Sequence, residues 1–216
     1  MTEAVVFDLD GVIVDSEQVW DDVRAQYVHE RGGSYGADAT RAMMGMSSPE
    51  WSAYMARELG VPGTPEQINA DVVERMLGRY GSAPPLIDGA IAAVRQVAKH
   101  WPIAIASSSN VELIDVVLAA AGLAGIVRET VSSEQVARGK PAPDVYLEAA
   151  FRLGVDPSVC AAVEDSHNGI RSAKAAGMYV YAIPNLHYPP GDEAVADADV
   201  VLASISELPE ALLGAA

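Results

Sequence analysis

The sequence has little cysteine, few basic residues and no long apolar run, and each shortage excludes a class of protein. Cys160 is the only cysteine, so no internal disulfide can form, and its apolar neighbours predict a buried thiol. Lys and Arg number 14 against 30 Asp and Glu, which gives a net charge of −16. Such a surface repels nucleic-acid backbones and anionic membranes. Because no apolar stretch reaches ~18 residues and no leader pattern is visible, we expect a cytoplasmic protein.

Half of the 216 residues are hydrophobic, which suffices for a sizeable core. Short apolar runs alternate with helical patterns, and this alternation predicts an α/β fold with a doubly wound parallel sheet. Residues 16–83 show only helical periodicity, in four segments, and predict a small α-helical cap domain inserted after the first strand. The core domain would then comprise residues 1–15 and 84–216. The first predicted strand ends at Asp8. Five further strands are predicted over residues 102–106, 126–131, 159–163, 178–183 and 200–202.

The first predicted strand ends in two carboxylates. Asp8 and Asp10 would point to opposite faces if the strand continued, but Gly11 lets the chain turn at once. Both carboxylates can then face one spot, where two acids need a cation, a proton or both. At this point a plain strand-end turn that uses Asp as a loop residue remains the alternative.

Other polar residues follow later strands of the predicted sheet. Ser107 ends the second strand, Lys140 lies in the loop after the third, and Glu164 and Asp165 end the fourth. Each alone is explained equally well as a helix cap or a solvated loop residue. Ligands of open parallel sheets bind outside the carboxyl ends of the strands, so together these residues predict a site on that edge.

Four segments carry these residues: DLDGVIVDSE from Asp8, Ser107 after its apolar strand, GKPAPD from Gly139, and VEDS from Val163. In type, order and spacing they resemble the four motifs of the haloacid dehalogenase (HAD) superfamily. The resemblance is to the helical-cap subfamily, near the β-phosphoglucomutase and sugar-phosphate phosphatase branch. It runs over almost the whole chain and implies a HAD-like Rossmannoid core under a helical cap.

The resemblance implies a magnesium-dependent phosphatase that passes through an aspartyl phosphate on Asp8. Asp8 would be the nucleophile, and Asp10 would protonate the leaving alkoxide and then activate water. Ser107 would donate a hydrogen bond to a phosphoryl oxygen, and Lys140 would neutralise charge on the transferring group. The expected partner is a small-molecule phosphate ester, and a monomer is expected.

The resemblance also assigns a magnesium site, and hard oxygen ligands suit that ion. Asp8, Asp165 and the main-chain carbonyl of Asp10 would bind Mg²⁺ directly. Glu164 would hold a water coordinated to the ion.

Substrate-binding candidates lie in two groups. Ser108, Ser109 and Asn110 follow the second strand and offer backbone N–H groups to a phosphate, or simply cap the next helix. The resemblance adds cap residues that would contact the leaving group: Asp15, Glu17, Trp20 and the loop 43–47 with Met46. For Trp20 and the Met residues, packing in the core is the alternative.

A sugar-phosphate mutase is the alternative activity. That branch usually has a His where this chain has Trp20, a cap Arg near Ser48 and a Lys near Asn110. A mutase must hold a bisphosphate and so needs a second anion site, which favours the phosphatase here. Arg41 or Arg57 would have to replace the missing cap Arg. A non-catalytic binding module is the third hypothesis.

Overall fold

The computed structural model describes residues 2–43, 46–81, 83–185 and 188–214. Six parallel strands form one sheet. They are β1 (Ala4–Phe7), β2 (Ile103–Ser107), β3 (Glu129–Ser132), β4 (Cys160–Glu164), β5 (Tyr179–Ala182) and β6 (Val200–Val201). Their order across the sheet is β3-β2-β1-β4-β5-β6, so the chain starts at the centre and winds outward in both directions. The predicted doubly wound α/β fold is confirmed.

Ten α-helices lie within the described residues, and the first four all fall between β1 and β2, as predicted. The division into core and cap at residues 15/16 and 83/84 stays a prediction. The helices are α1 (Glu17–Glu30), α2 (Ala37–Met43), α3 (Ser48–Arg57), α4 (Pro65–Tyr80), α5 (Ala90–Val97), α6 (Val111–Ala120), α7 (Asp144–Leu153), α8 (His167–Ala175), α9 (Asp192–Asp197) and α10 (Leu208–Gly214).

The cap helices α3 and α4 begin at capping boxes. The Ser47 backbone N–H donates to the Glu50 carboxylate at 2.8 Å, and the Thr64 backbone N–H donates to the Gln67 side chain at 3.0 Å. Each pair satisfies N–H groups that a helix start leaves unbonded. A proline in the first turn of each helix supports the start, because its fixed φ is already helical.

The prediction was wrong in the position of β3. The apolar pattern predicted a strand over 126–131, whereas the strand is Glu129–Ser132. The backbone N–H groups of Ile126 and Val127 both bond to the Leu123 carbonyl, which closes a turn after α6. A turn buries apolar side chains as a strand does, so the pattern did not separate the two. The prediction also missed α9 and α10, which are too short for a periodic signal.

The sheet separates two apolar cores. Val5 and Phe7 of β1 face the core that extends into the cap helices, while Ala4 and Val6 face the other. All four are fully buried, as expected for a central strand covered on both faces. Cys160 belongs to the second core and is 1% exposed, which confirms the buried thiol. Among the described residues, no helix has the length and apolar content that a membrane crossing requires.

The strand order brings three polar strand ends together. Phe7 pairs with Ile105 of β2 on one side and with Val163 of β4 on the other. The residues that follow these partners leave the sheet side by side at its carboxyl edge.

Candidate active site

The turn after β1 depends on Gly11. Its φ is +76°, a conformation that side chains disfavour, and a Cβ there would lie 1.8 Å from Asp165 Oδ2. The backbone N–H of Ile13 bonds back to the Leu9 carbonyl at 2.8 Å and closes the turn. Glycine therefore lets the segment that carries Asp8 pack directly against Asp165.

Lys140 holds two carboxylates at the centre of the site. Its Nζ donates to Asp8 Oδ1 at 2.8 Å and to Glu164 Oε1 at 2.6 Å, and all three side chains are buried. Burial raises the pKa of Asp8 well above its usual range, and the Lys140 charge opposes that rise. Burial tends to lower the pKa of Lys140, but Asp8 and Glu164 raise it on balance. Lys140 is therefore a permanent cation that favours the ionised form of Asp8.

The Glu164 carboxylate has no exposed surface and is saturated with hydrogen bonds. Oε1 accepts from Lys140 and, at 2.6 Å, from the Tyr146 hydroxyl. Oε2 accepts from the backbone N–H groups of Asp165 and Ser166 and from the Ser166 hydroxyl. Glu164 thereby fixes both Lys140 and the backbone at Asp165. Sequence reasoning missed Tyr146, because an aromatic residue on a helix normally signals packing.

Three carboxylates form a cluster with the donor set that a divalent cation needs. One oxygen from each of Asp8, Glu164 and Asp165 lies within 4.8 Å of the others. Burial raises the pKa of Asp165 well above its usual range, and the Glu164 and Asp8 charges raise it further. Lys140 is the one cation bonded to this cluster among the described residues. Three acids and one ammonium leave a deficit of positive charge that a hard cation with oxygen ligands would fill.

The Asp10 carboxylate is not part of that three-acid cluster, although it lines the same cavity. This carboxylate accepts hydrogen bonds from the hydroxyls of Ser16 at 2.5 Å, Ser109 at 2.7 Å and Ser107 at 3.1 Å. Ser107 is fully buried, and its hydroxyl serves Asp10 instead of facing the cavity. The three hydroxyls hold Asp10 in one orientation at the edge of the site.

One cavity joins these groups to the cap. Asp8, Asp10, Lys140 and Asp165 line its core side. The predicted substrate-binding residues that line it are Glu17, Trp20, Met43, Met46, Ser108 and Ser109. Further residues follow β4 and β5 in the chain: Ser166, His167, Asn168, Asn185 and residues 188–190. Of the predicted loop 43–47, residues 44 and 45 lie outside the described residues.

The structure places Asn110 away from the cavity lining. Its side-chain oxygen accepts from the Ser48 hydroxyl at 2.8 Å, and its Nδ2 donates to Glu134 at 2.6 Å. Nδ2 also lies 3.3 Å from the side-chain oxygen of Asn69. Asn110 therefore bonds core residues to the helices α3 and α4.

Glu17 lies within this cavity on the first turn of α1. Burial and the nearby Asp10 charge together raise its pKa to about 7, against the opposing effect of the Arg24 charge. Glu17 is therefore a carboxyl group that changes charge near neutral pH.

Arg24 is a cavity residue that sequence reasoning missed. Its guanidinium carbon lies 4.6 Å from the ring centre of Trp20 and 5.0 Å from that of Trp51. The ring centres are 5.9 Å apart and the rings are tilted by 57°, so the guanidinium sits in the corner that they form. Arg41 and Arg57, the predicted replacements for a cap arginine, are exposed and do not line the cavity. Glu17, Trp20 and Arg24 lie at helical spacing on α1, a signal that would have found Arg24.

Comparisons with known proteins agree on the family. The model of haloacid dehalogenase-like hydrolases matches residues 2–177. Hexitol phosphatase B of Escherichia coli K12 is 32% identical over 212 residues, which cover 95% of this chain and 93% of that protein. The bifunctional riboflavin kinase/FMN phosphatase of Arabidopsis thaliana is 28% identical over 213 residues, and the match spans 96% of this chain but 55% of that protein. Among solved structures, mutant CbbY from Rhodobacter sphaeroides with xylulose-(1,5)bisphosphate has a TM-score of 0.85, 25% identity and 96% coverage of both chains.

Proposed function

This chain belongs to the haloacid dehalogenase-like hydrolase family, and we propose that it hydrolyses small phosphate monoesters through an aspartyl phosphate on Asp8. The observation that carries the proposal is the buried Asp8 carboxylate, which Lys140 holds on the wall of the cavity shared by core and cap. Hexitol phosphatase B and the bisphosphate-bound CbbY support sugar or polyol phosphates as the substrate class.

In the first step, an Asp8 oxygen attacks phosphorus and the bond to the leaving oxygen breaks. Asp10 gives its proton to the departing alkoxide, and the Lys140 ammonium offsets negative charge beside the transferring group. In the second step, Asp10 takes a proton from water, the water oxygen attacks phosphorus, and the bond to Asp8 breaks. Asp8 is restored and Asp10 is again protonated, so the cycle closes with inorganic phosphate as product.

The residues of the acidic cluster fit a divalent cation, and we propose Mg²⁺. Asp8 and Asp165 are the side chains that would bind it, together with the main-chain carbonyl of Asp10. When bound, the ion would add positive charge at the phosphoryl oxygens. Glu164 holds Lys140 and the Asp165 backbone in place beside these ligands. The metal-bound water assigned to Glu164 stays a prediction.

Arg24 keeps a sugar-phosphate mutase as the second candidate. The absence of a basic residue near Ser48 had favoured the phosphatase, because a bisphosphate needs a second anion site. Arg24 supplies the cavity with a second cation from a different cap position.

A panel of phosphate monoesters with Mg²⁺ tests these functions. We expect several esters to release inorganic phosphate, and we expect EDTA to lower the rate at least about a hundredfold, with recovery when Mg²⁺ is restored. Interconversion of hexose 1- and 6-phosphates with slow phosphate release would identify the mutase. If no ester reacts in a magnesium-dependent way, the catalytic proposal is wrong and a binding module is favoured.

Asp8→Asn tests the covalent step. The change is nearly isosteric but removes the nucleophile, so we expect turnover to fall at least about 10⁴-fold. Circular dichroism should show the same fold. Substantial turnover by the folded variant would exclude the aspartyl phosphate on Asp8.

A further inference from the structure

The proposed reaction leaves Arg24 without a role, although its position is costly. The side chain is 8% exposed, and its Nε has no hydrogen-bond partner among the described residues. Contact with the faces of Trp20 and Trp51 compensates part of the lost hydration, because aromatic faces attract cations. Aromatic faces do not bond the N–H groups at the edge of the guanidinium plane, so the two ring contacts leave the buried Nε donor unsatisfied.

Arg24 is buried without an acidic partner, whereas two less buried arginines of the cap have one. Arg31 pairs with Asp71 and Arg75 pairs with Glu30, at 2.7 and 2.6 Å. No carboxylate of the described residues lies within 4.0 Å of Arg24, although Glu17 lines the same cavity. None of the residues outside the described ranges has a carboxylate side chain. The guanidinium charge is therefore not neutralised by an ion pair with a side chain.

Arg24 is also the cavity cation that the catalytic acids do not engage. Lys140 is engaged by Asp8 and Glu164 at the reacting end of the cavity. The other charged residues that line the cavity are acidic, apart from Arg24 and, when protonated, His167. An anionic group on the cap side would have Arg24 as its permanent cation.

We propose that Arg24 binds a second acidic group, a carboxylate or a phosphate, carried by the leaving group of the substrate. This inference rests on the proposed phosphatase function and names the class of ester that it selects. A guanidinium presents its N–H donors as a planar fork that matches two oxygens of either anion. Trp20 and Trp51 orient that plane before the ligand arrives, so little side-chain freedom is lost on binding.

Three matched esters test the proposal. We would compare three-carbon alkyl phosphates whose far end carries a hydroxyl, a carboxylate or a second phosphate. The readout is kcat/KM for each acidic ester divided by kcat/KM for the hydroxyl ester. We expect the wild type to prefer at least one acidic ester by roughly ten- to a hundredfold, the usual worth of a hydrogen bond to a charged group. Which acidic ester is preferred identifies the anion.

Arg24→Gln should abolish most of that preference, because it keeps polar atoms but removes the charge and the fork. Arg41→Gln is the matched control, since Arg41 is an exposed cap arginine that pairs with Asp38, and it should keep the wild-type ratio. Thermal unfolding establishes that each variant is folded. Should Arg24→Gln not fold, Arg24→Lys carries the test: it keeps the charge without the fork, and we expect an intermediate preference.

The outcomes separate this inference from the function on which it rests. If the wild type hydrolyses all three esters equally well, or Arg24→Gln keeps the preference, Arg24 does not bind an acidic group while the phosphatase stands. If neither these esters nor p-nitrophenyl phosphate is hydrolysed, the phosphatase proposal fails and the inference fails with it.

Discussion

At the scale of single residues, the site contains several buried acids and one lysine that is hydrogen-bonded to two of them. A pair of unit charges 4 Å apart interacts by about 4 kcal/mol at an effective dielectric of 20, so each nearby acid raises the cost of ionising Asp8 appreciably. Lys140 reduces that cost by bonding Asp8 and Glu164 together. Asp10 adds to the negative charge around Asp8, and its own carboxylate accepts hydrogen bonds from the hydroxyls of Ser16, Ser107 and Ser109.

The proposed role of Asp10 as the general acid leads to a prediction for Asp10→Asn. An amide cannot protonate the leaving alkoxide, so we expect alkyl phosphates to lose about 10²- to 10⁴-fold in single-turnover rate of ester cleavage. An aryl phosphate with a good leaving group needs no proton and should lose much less. Equal losses for both esters in rapid-quench experiments would show that Asp10 is not the acid.

At the scale of elements, the site depends on a close approach between a helix and a strand that only a glycine allows. The start of α8 shows this: Gly169 lies against Glu164, and a Cβ at Gly169 would be 1.9 Å from Glu164 Oε1. The Ser166 hydroxyl accepts from the Gly169 N–H and donates to Glu164, so it caps α8 and fixes the carboxylate together. The start of α8 thus positions Glu164 at the end of β4.

Gly169→Ala should damage both stability and activity, because the added methyl group must displace the Glu164 carboxylate from Lys140 and Tyr146. We expect a loss of about 1–3 kcal/mol in the free energy of unfolding and a lower kcat. Gly78→Ala is the matched control, since Gly78 is an exposed glycine inside α4 with no atom within 4 Å of a built Cβ. That variant should gain about 0.5–1 kcal/mol with unchanged activity. Equal effects in urea titrations would contradict the role given to Gly169.

At the scale of the whole molecule, negative charge is both abundant and concentrated. The chain carries a net charge of −16, and its cavity adds buried acids whose pKa values are raised by burial. A folded state that raises the pKa of an acid is most stable when that acid is protonated. The folded state is therefore less stable at neutral and higher pH, where these buried acids lose their protons.

Glu17 makes this cost measurable. Its folded pKa of about 7 exceeds the ordinary value of 4.5, so its contribution to stability is full below pH 4.5 and is lost as the pH rises through 7. In EDTA, the wild type should lose on the order of 1 kcal/mol more than Glu17→Gln between pH 6 and pH 8. Urea titrations at the two pH values measure the difference. Parallel pH dependence of the two proteins would show that Glu17 is not perturbed.

Much of the fold could be predicted from the sequence, because the relevant signals are local. The alternation of apolar strands and amphipathic helices gave the doubly wound sheet, and the all-helical stretch after the first strand gave the four cap helices. The same logic placed Asp8, Asp10, Lys140 and Asp165 at one edge, since parallel strands end together. Where a local pattern was ambiguous, as in the apolar turn before β3, the prediction was wrong.

The sequence alone determined which chemical groups this protein carries and which edge of the sheet presents them. Tertiary packing decided their partners: Tyr146 bonds Glu164, Asn110 joins cap residues to the core, and Arg24 reaches the cavity beside two tryptophans. These contacts join side chains that are far apart in the sequence. A local periodic pattern does not predict contacts of that kind. Periodicity reports only which face of an element is buried, whereas partnership depends on how separate elements pack.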